Sequence, residues 1–469
     1  MDSMAWSKGL DVEVGGHGVV SHAGSAATRL LADRTGLTGA LSGALARRGF
    51  VPLHDRGRVL TDLAVAIADG GTTIGEIDTL GHQIELFGPV ASDTTAWRTL
   101  SQCDGVVLAR ISKARAKVRA HVWGLVTARH GGIPPAKAAG RDLGEVIVVR
   151  LDATIVVAHS GKQQAKGTFK GSYGHHPLTA WCDNTGESLA VMLRPGNAGS
   201  NTAADHIAVT GAAIAQIPAR HRRRMLFTCD GAGATHALVE HITGLNARPG
   251  YQVHYSAGFD FDERIRAVLP RLPETAWTPA LDADGTPRPG AQVAELTGLL
   301  RHSAGGDRLA GWPADMRILI RRENPHPGAQ LTLFEQHEGK RYQVIVTNTP
   351  RGQIQFLEAR HRTQARVEDC IRTAKSTGLG HMPSRDYQVN TAWCQAASIA
   401  CDLLAWLRLL ALDGDLAKAE PKTLRYKILH TAGRIVRGQR RRHLKIAASW
   451  PWASDIADAF TRILALPPP

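Results

Sequence analysis

The chain predicts an α/β fold in which a sheet with flanking helices is interrupted by an all-β insertion and bracketed by helical N-terminal and C-terminal regions. Three observations carry this. Helical periodicity dominates residues 20–130, apolar strands alternate with helices from Glu145, and strand-and-turn patterning replaces that alternation between about Thr275 and Glu358 before helices resume. A length of 469 residues leaves room for two or three domains that each bury a core.

The N-terminal helices come first. Ser25 to Thr35, a break at Gly36, and Thr38 to Arg48 with Thr38 as N-cap form two short helices about a glycine turn. Such a pair is compatible with a helix-turn-helix, but is more often a packing unit of a bundle. At Glu145 the run VIVVRLDATIVVAH gives a strand too continuously apolar for a sheet edge, with Asp152 inside it. A basic glycine-containing loop, GKQQAKGTFKGSYGHH, follows. Next come strands at Leu178 to Cys182 and Leu189 to Leu193, joined by the turn Asp183-Asn184-Thr185-Gly186. Ala203 to Ile217 is helical in pattern and leads into RRRMLFTCDGAG, a second apolar strand ending at Asp230. A helix from Gly233 to Thr243, a strand from Gln252 to Ser256 and a helix beginning near Phe261 complete the alternation. The insertion is expected to hold strands at Met316 to Arg321, Gln330 to Glu335 and Tyr342 to Thr347. Helices then run through Thr391 to Leu412 and the basic tail.

Charge narrows the partner. There are 56 basic and 42 acidic side chains, a surplus of +14, which favours a polyanion because Lys and Arg that neutralise phosphates release condensed counterions. The surplus is clustered. Arg110, Lys113, Arg115, Lys117, Arg119, Arg129, Lys137 and Arg141 lie between Asp104 and Asp142 with no acidic residue among them. A second acid-free block holds Lys422, Arg425, Lys427, Arg434, Arg437, Arg440, Arg441, Arg442 and Lys445. Two such blocks favour phosphate contact over a merely solvated face. Six cysteines without a CxxC pair argue against a zinc site or a disulfide framework and for a reducing cytosol. The longest apolar stretch, Ala396 to Leu412, is broken by Asp402 and Arg408, so neither a membrane span nor a signal peptide is expected.

Two carboxylates stand out. Asp152 sits in an apolar strand, where an uncompensated charge costs several kcal/mol or shifts its pKa. Asp230 ends another apolar strand, at the edge where ligands of open α/β sheets gather. Each could serve alone as a cap or salt-bridge partner. If the strands are adjacent, the two converge, and a divalent cation with oxygen preference, Mg²⁺ above all, would relieve their repulsion. A third oxygen is expected from a helix over RHRTQARVEDCIRTAKSTG. There His361, Gln364, Glu368 and Lys375 share one face, opposite Val367, Ile371 and Ala374.

The set LDAT with Asp152, KGTFKGSYGHHPL, LRPGNAGSN, LFTCDGAG with Asp230 and ARVEDCIRTAK with Glu368 resembles the DDE-superfamily transposases of bacterial insertion sequences, in particular the group with a β-rich insertion between the second Asp and the Glu. The resemblance implies a ribonuclease-H-like mixed sheet with Asp152, Asp230 and Glu368 as the metal-binding catalytic triad. That group carries Tyr, Arg, Glu and Lys along the helix; here Glu368 and Lys375 are in register, with His361 and Gln364 at the Tyr and Arg places. Arg362 and Arg366 flank those places and are expected to take over DNA contacts, with Lys375 on a phosphate and Lys166 and Lys170 holding DNA beside the metals. Two Mg²⁺ ions about 4 Å apart, replaceable by Mn²⁺, would be shared through Asp152 and would serve in-line displacement at phosphorus.

The implied function is a DNA transposase that cuts at transposon ends and joins the 3′-hydroxyl ends to target DNA. The alternatives are a metal-dependent nuclease of the same fold and a non-catalytic DNA-binding remnant. Expected partners are double-stranded DNA, both terminal inverted repeats and target, and a second copy of the chain on that DNA. No membrane is expected, and the expected location is the cytoplasm at the nucleoid. The regions expected are 1–143 for DNA binding, 144–274 with 359–412 as catalytic core, 275–358 as insertion and 413–469 as a basic helical end.

Overall fold

Local sequence decides where the N-terminal helices break. In the computed structural model, which describes residues 9–303, 306–438 and 441–469, α1 (Ser25–Arg34) ends before Gly36, whose φ of 78° only glycine adopts freely, and α2 (Leu37–Leu45) begins there. Gly36 rather than Thr38 occupies the N-cap position, and the Thr38 hydroxyl donates to Asp33 instead (2.7 Å). The apolar residues of α2 face inward onto α3 (Arg56–Asp69) and α4 (Gly105–His130). The pair is therefore a packing unit of the helical bundle, its apolar face turned to the core.

The first basic block divides by helix face. On α4, Arg110, Lys113 and Lys117 point to solvent, whereas Arg115 and Arg119 are 2% and 0% exposed. Phosphate contact is thus corrected for these two. They lie on the stripe of Ile111, Val118 and Val122 and meet acids distant in sequence. Arg115 and Arg119 both donate to Asp402 (2.8 and 2.6 Å), and Arg119 also donates to Glu187 (2.8 Å).

The sheet carries the site. Strands β2 (Ile147–Ala153), β6 (Leu178–Cys182), β7 (Ser188–Met192), β8 (Arg224–Cys229), β9 (Gln252–Phe259), β10 (Thr278–Leu281), β11 (Pro287–Glu295), β12 (Arg317–Glu323) and β13 (Arg341–Thr347) form one nine-stranded sheet in the order β10-β11-β12-β13-β9-β8-β2-β6-β7. The central β9, β8 and β2 are parallel, and every other neighbour is antiparallel. This is the mixed sheet with flanking helices that the sequence predicts. Helices α5 (Ala203–Gln216) and α6 (His236–Gly244) make the crossovers into β8 and β9. Beside β2, short strands β3 (Val156–Val157), β4 (Lys166–Gly167) and β5 (Tyr173–His175) form a small sheet of their own, and β1 (Val19–Val20) lies elsewhere.

The insertion is continuous with the central sheet: β13 pairs with β9 from Ser256↔Thr347 to Phe259↔Val344 and extends it. β12 is buried along its middle and has to be covered on both faces. The expectation that the insertion is all-β is corrected: helices form at Thr297–Arg301 and Leu333–Glu338. The second replaces the strand expected at Gln330 to Glu335, because Thr332 and Glu335 close a reciprocal capping box.

Helices α7 (Ile354–Arg362), α8 (Arg366–Ala374) and α9 (Tyr387–Ala411) follow. By length and composition α9 could cross a membrane, but 83% of its apolar window is buried in this fold. It packs into the same apolar cluster as α1 to α4, so packing is continuous across the expected boundary at 143. The C-terminal end is also corrected: β14 (Gly433–Gly438) and β15 (Arg441–Ile446) pair as a hairpin before α10 (Ala453–Ala465). Alternation and β-branched residues in RIV and RHLKI outweigh the helical reading there. Arg440 of the second basic block lies outside the described residues.

Candidate active site

Strand register brings the first two carboxylates together. β2 and β8 are parallel neighbours with Arg150 opposite Thr228, so two residues on, Asp152 and Asp230 face each other at the carboxyl edge of the sheet. Asp152 is held by its own strand, its carboxylate accepting from Ala153 N–H (2.8 Å) and its carbonyl from the Thr179 hydroxyl (2.8 Å). Asp230 caps the short turn Gly231–Gly233, accepting from Gly233 N–H at 3.3 Å, and stays exposed on its outer side. That turn lies against β9 so closely that a Cβ on Gly258 would come within 2.7 Å of the Gly231 nitrogen.

Gln364 brings in the third. The expected single helix is broken by a tight turn at Thr363–Ala365, between α7 and α8. Within it, buried Gln364 donates to the Leu151 carbonyl (2.9 Å) and accepts from the Thr228 hydroxyl, tying the break to the strands beneath Asp152 and Asp230. Glu368 stands one helical turn further on, exposed. Asp152, Asp230 and Glu368 line one cleft of about 520 Å³.

The electrostatics agree. Burial first and the charge of Asp230 second push the Asp152 carboxyl up to about 7; the Ala153 N–H opposes them, Glu368 adds a lesser push upward, and Lys170 a lesser pull downward. The carboxylates share the cleft without closing to mutual ligand distance. Among the described residues, the trio with candidate ligand atoms all within 4.8 Å is His22, Asp69 and His430, outside this cleft. An oxygen-only donor set, with one carboxyl driven upward by burial and then by its acidic neighbours, fits Mg²⁺ or Mn²⁺, whose charge offsets both.

The other expected residues divide. Arg362 lines the cleft, held by Glu358 (3.0 and 3.1 Å) and by the Leu281 carbonyl. Arg366 does not line it; its guanidinium donates to the Lys137 carbonyl (2.8 Å) and faces Asp183. Lys375 is half-buried, its pKa lowered by burial and by nearby Lys170. Lys166 and Lys170 lie on the small sheet and loop beside β2 and, like Lys375, form no ion pair among the described residues. Exposed Phe169 sits under the Lys170 ammonium, 5.8 Å from ring centre to nitrogen. His361 is buried against Ser256 (3.1 Å), and burial, then Arg321, hold its imidazole down at about 3, so it is neutral and cannot grip a phosphate as a cation. His175 and His176 secure loop carbonyls of Gln163 and Ala198 (3.0 Å each).

Several lining residues carry no sequence signal. Arg288, Arg321, Glu323, His326 and Arg341 reach the cleft from β11 to β13 and the loop between β12 and β13. Their placement depends on the insertion strands joining the central sheet. Asp183, a turn residue by sequence, also forms a two-pronged pair with buried Arg150 (2.7 and 2.8 Å) behind β2.

No curated protein matches this chain. Among solved structures, the chain is similar to that of a piggyBac transposase in a synaptic complex with hairpin DNA, at 10% identity and a TM-score of 0.37, over 86% of this chain and 78% of that one. The family described as transposase DDE domain group 1 matches residues 3–468. The match spans nearly the whole sequence, and this chain belongs to that transposase family.

Proposed function

We propose that this transposase cuts DNA at the ends of a mobile element and joins the resulting 3′-hydroxyl ends to target DNA in a divalent-metal-dependent phosphoryl transfer. The observation that carries the proposal is the convergence of Asp152, Asp230 and Glu368 on one cleft, where burial first and then the neighbouring acids drive the Asp152 carboxyl up. These three residues would hold two Mg²⁺ ions, or Mn²⁺. When bound, the ions supply Lewis acidity for in-line displacement at phosphorus.

The remaining residues bind and orient. Arg362, at the cleft wall, and Arg341, exposed and without an ion pair among the described residues, would neutralise the phosphates flanking the scissile bond. Lys170, close enough to act on Asp152, and Lys375 beside it would fix the DNA end. Arg366, turned toward Asp183, and Lys166 would contact DNA further from the chemistry. Because one site can use water or a DNA 3′-hydroxyl as the incoming group, cutting and joining need no second centre. Two transposon ends, the terminal inverted repeats, would be paired by a homodimer.

The test is cleavage of duplex ends in Mg²⁺ by the wild type and by Asp152→Ala, Asp230→Ala and Glu368→Ala, followed by a joining assay with pre-cut 3′-hydroxyl ends and a target plasmid. The wild type should cut and join. Each variant should bind DNA yet lose at least ~10²-fold in rate, by the magnitude typical of removing one stabilising group. Undiminished cutting by the variants refutes the assignment. Cutting without joined product leaves a nuclease.

A further inference from the structure

The C-terminal hairpin repeats one unfavourable motif. In the register of β14 and β15, Arg434 lies opposite Lys445 and Arg437 lies opposite Arg442. Like charges directly opposed across an antiparallel pair repel each other. The two pairs sit on opposite faces of the ribbon, because they are an odd number of residues apart.

The inner face has a local answer to its repulsion. Ile435, Leu444 and Ile446 are partly buried there, and Ile446 packs on the helical cluster. Arg437 on that face forms an ion pair with Glu85 (2.6 Å), and Arg442 donates to the Glu85 carbonyl (3.1 Å). The outer face has none. Arg434, Arg441, His443 and Lys445 are exposed, and among the described residues Arg434, Arg441 and Lys445 have no acidic partner. β1 pairs with β14 at Gly433 and Arg434, and Ile435 N–H donates to the Gly18 carbonyl (2.7 Å); beyond that point, among the described residues, the element is a two-stranded ribbon. A B-DNA major groove, about 12 Å wide, admits a ribbon of this kind.

We infer that the outer face of the β14–β15 ribbon docks on duplex DNA, with Arg434, Arg441 and Lys445 neutralising backbone phosphates. The inference rests on the DNA-cutting reading, but concerns a surface separate from the triad cleft. The unrelieved Arg434–Lys445 pair is tolerated because a polyanion supplies the countercharge. The contact is electrostatic, and it grips the backbone without specifying sequence.

Fluorescence anisotropy of a labelled duplex in EDTA tests this without requiring cleavage. Affinity is followed over roughly 50 to 200 mM salt, where counterion release sets the slope. The variant Arg434→Gln/Arg441→Gln/Lys445→Gln should reduce the magnitude of the log–log salt slope by about 2 to 3 and weaken binding at least ~10-fold near the lower salt concentrations. Its thermal midpoint should stay level or rise, since the repulsive pair is gone. Lys445→Gln alone should show the same two signs at smaller size and serves if the triple variant folds poorly. Removing the same charge at exposed Arg220, Arg223 and Arg248 should leave the slope nearly intact. An unchanged slope in the ribbon variants, or an equal loss in the control, overturns the inference. A wild type that fails to bind duplex DNA, or binds anionic vesicles or RNA with the same ribbon dependence and greater affinity, overturns it too, and the first of these outcomes also removes the DNA-cutting reading.

Discussion

Replacing Asp402 should destabilise the protein more than any surface change. Its carboxylate, 1% exposed, accepts from Arg115 (2.8 Å), from Arg119 (2.6 Å) and from the Ser188 N–H (3.1 Å). Burial pushes this carboxyl up, while the two guanidiniums pull against it. Glu187, the other acid nearby, is already engaged by Arg119 (2.8 Å), Trp123 (2.6 Å) and Trp406 (2.7 Å), so it cannot take over both arginines. Asp402→Ala leaves Arg115 without its carboxylate partner in the interior, and breaking one side of a buried pair costs ~3–5 kcal/mol. That is a large share of the ~5–15 kcal/mol that holds a typical domain together. Asp402→Asn keeps the shape and one acceptor, and should cost about half as much, in the ~1–3 kcal/mol range of a lost charged hydrogen bond. Urea unfolding monitored by tryptophan fluorescence reads both. DNA affinity measured well below the unfolding midpoint should keep the wild-type salt slope, because neither arginine is available to phosphate. A loss under ~1 kcal/mol for Asp402→Ala, or a changed salt slope in the folded variant, would refute the network as described.

Two further outcomes follow from other anchors. Gln364→Ala should cost ~1–3 kcal/mol by removing the donor to the Leu151 carbonyl and the acceptor of the Thr228 hydroxyl, which keeps only its bond from Arg150, and should slow end cleavage while leaving duplex affinity unchanged, since the lost bond positions Glu368; cleavage at the wild-type rate would show that the helix break does not position the acid. The clasp of His22, Asp69 and His430 should make stability depend on pH in two windows. The hydrogen bond that His430 donates to Asp69 raises the His430 pKa, so its contribution is full below the free histidine value of about 6.5 and fades as pH rises through the raised value. Burial pushes Asp69 up, but the bonds from His22, His430 and Ser25 outweigh it and hold the carboxyl at about 2, so its contribution is present above the ordinary carboxylate range and is lost as pH falls toward that value. The midpoint gap between wild type and His430→Gln should be widest in mild acid and close in mild alkali; a gap independent of pH contradicts the clasp.

What could be read from the sequence depended on whether a residue's partners were near it in the chain. Asp152 and Asp230 were visible because each interrupts or ends an apolar strand, and Glu368 because it lies at helical offsets from His361, Gln364 and Lys375; the structure brings all three acids to one cleft. The break at Thr363–Ala365 was not visible, since what stabilises it is a bond from Gln364 to a carbonyl over two hundred residues upstream. The arginines of the insertion that line the cleft were equally hidden until β13 paired with β9.

Charge misled in a more instructive way. Arg115 and Arg119 counted toward a basic run, yet their spacing with Ile111, Val118 and Val122 already put them on the stripe that faces inward. The tail erred in the opposite direction: its arginines are exposed, but on a ribbon and not a helix, so their faces alternate in twos. A count of basic residues fixes how much positive charge the chain carries. The period of the element fixes which of that charge a polyanion can reach, and on α4 and β14 the two give opposite answers: the inward arginines of α4 are satisfied by Glu187 and Asp402, whereas the outward pair of the ribbon meets no acid among the described residues.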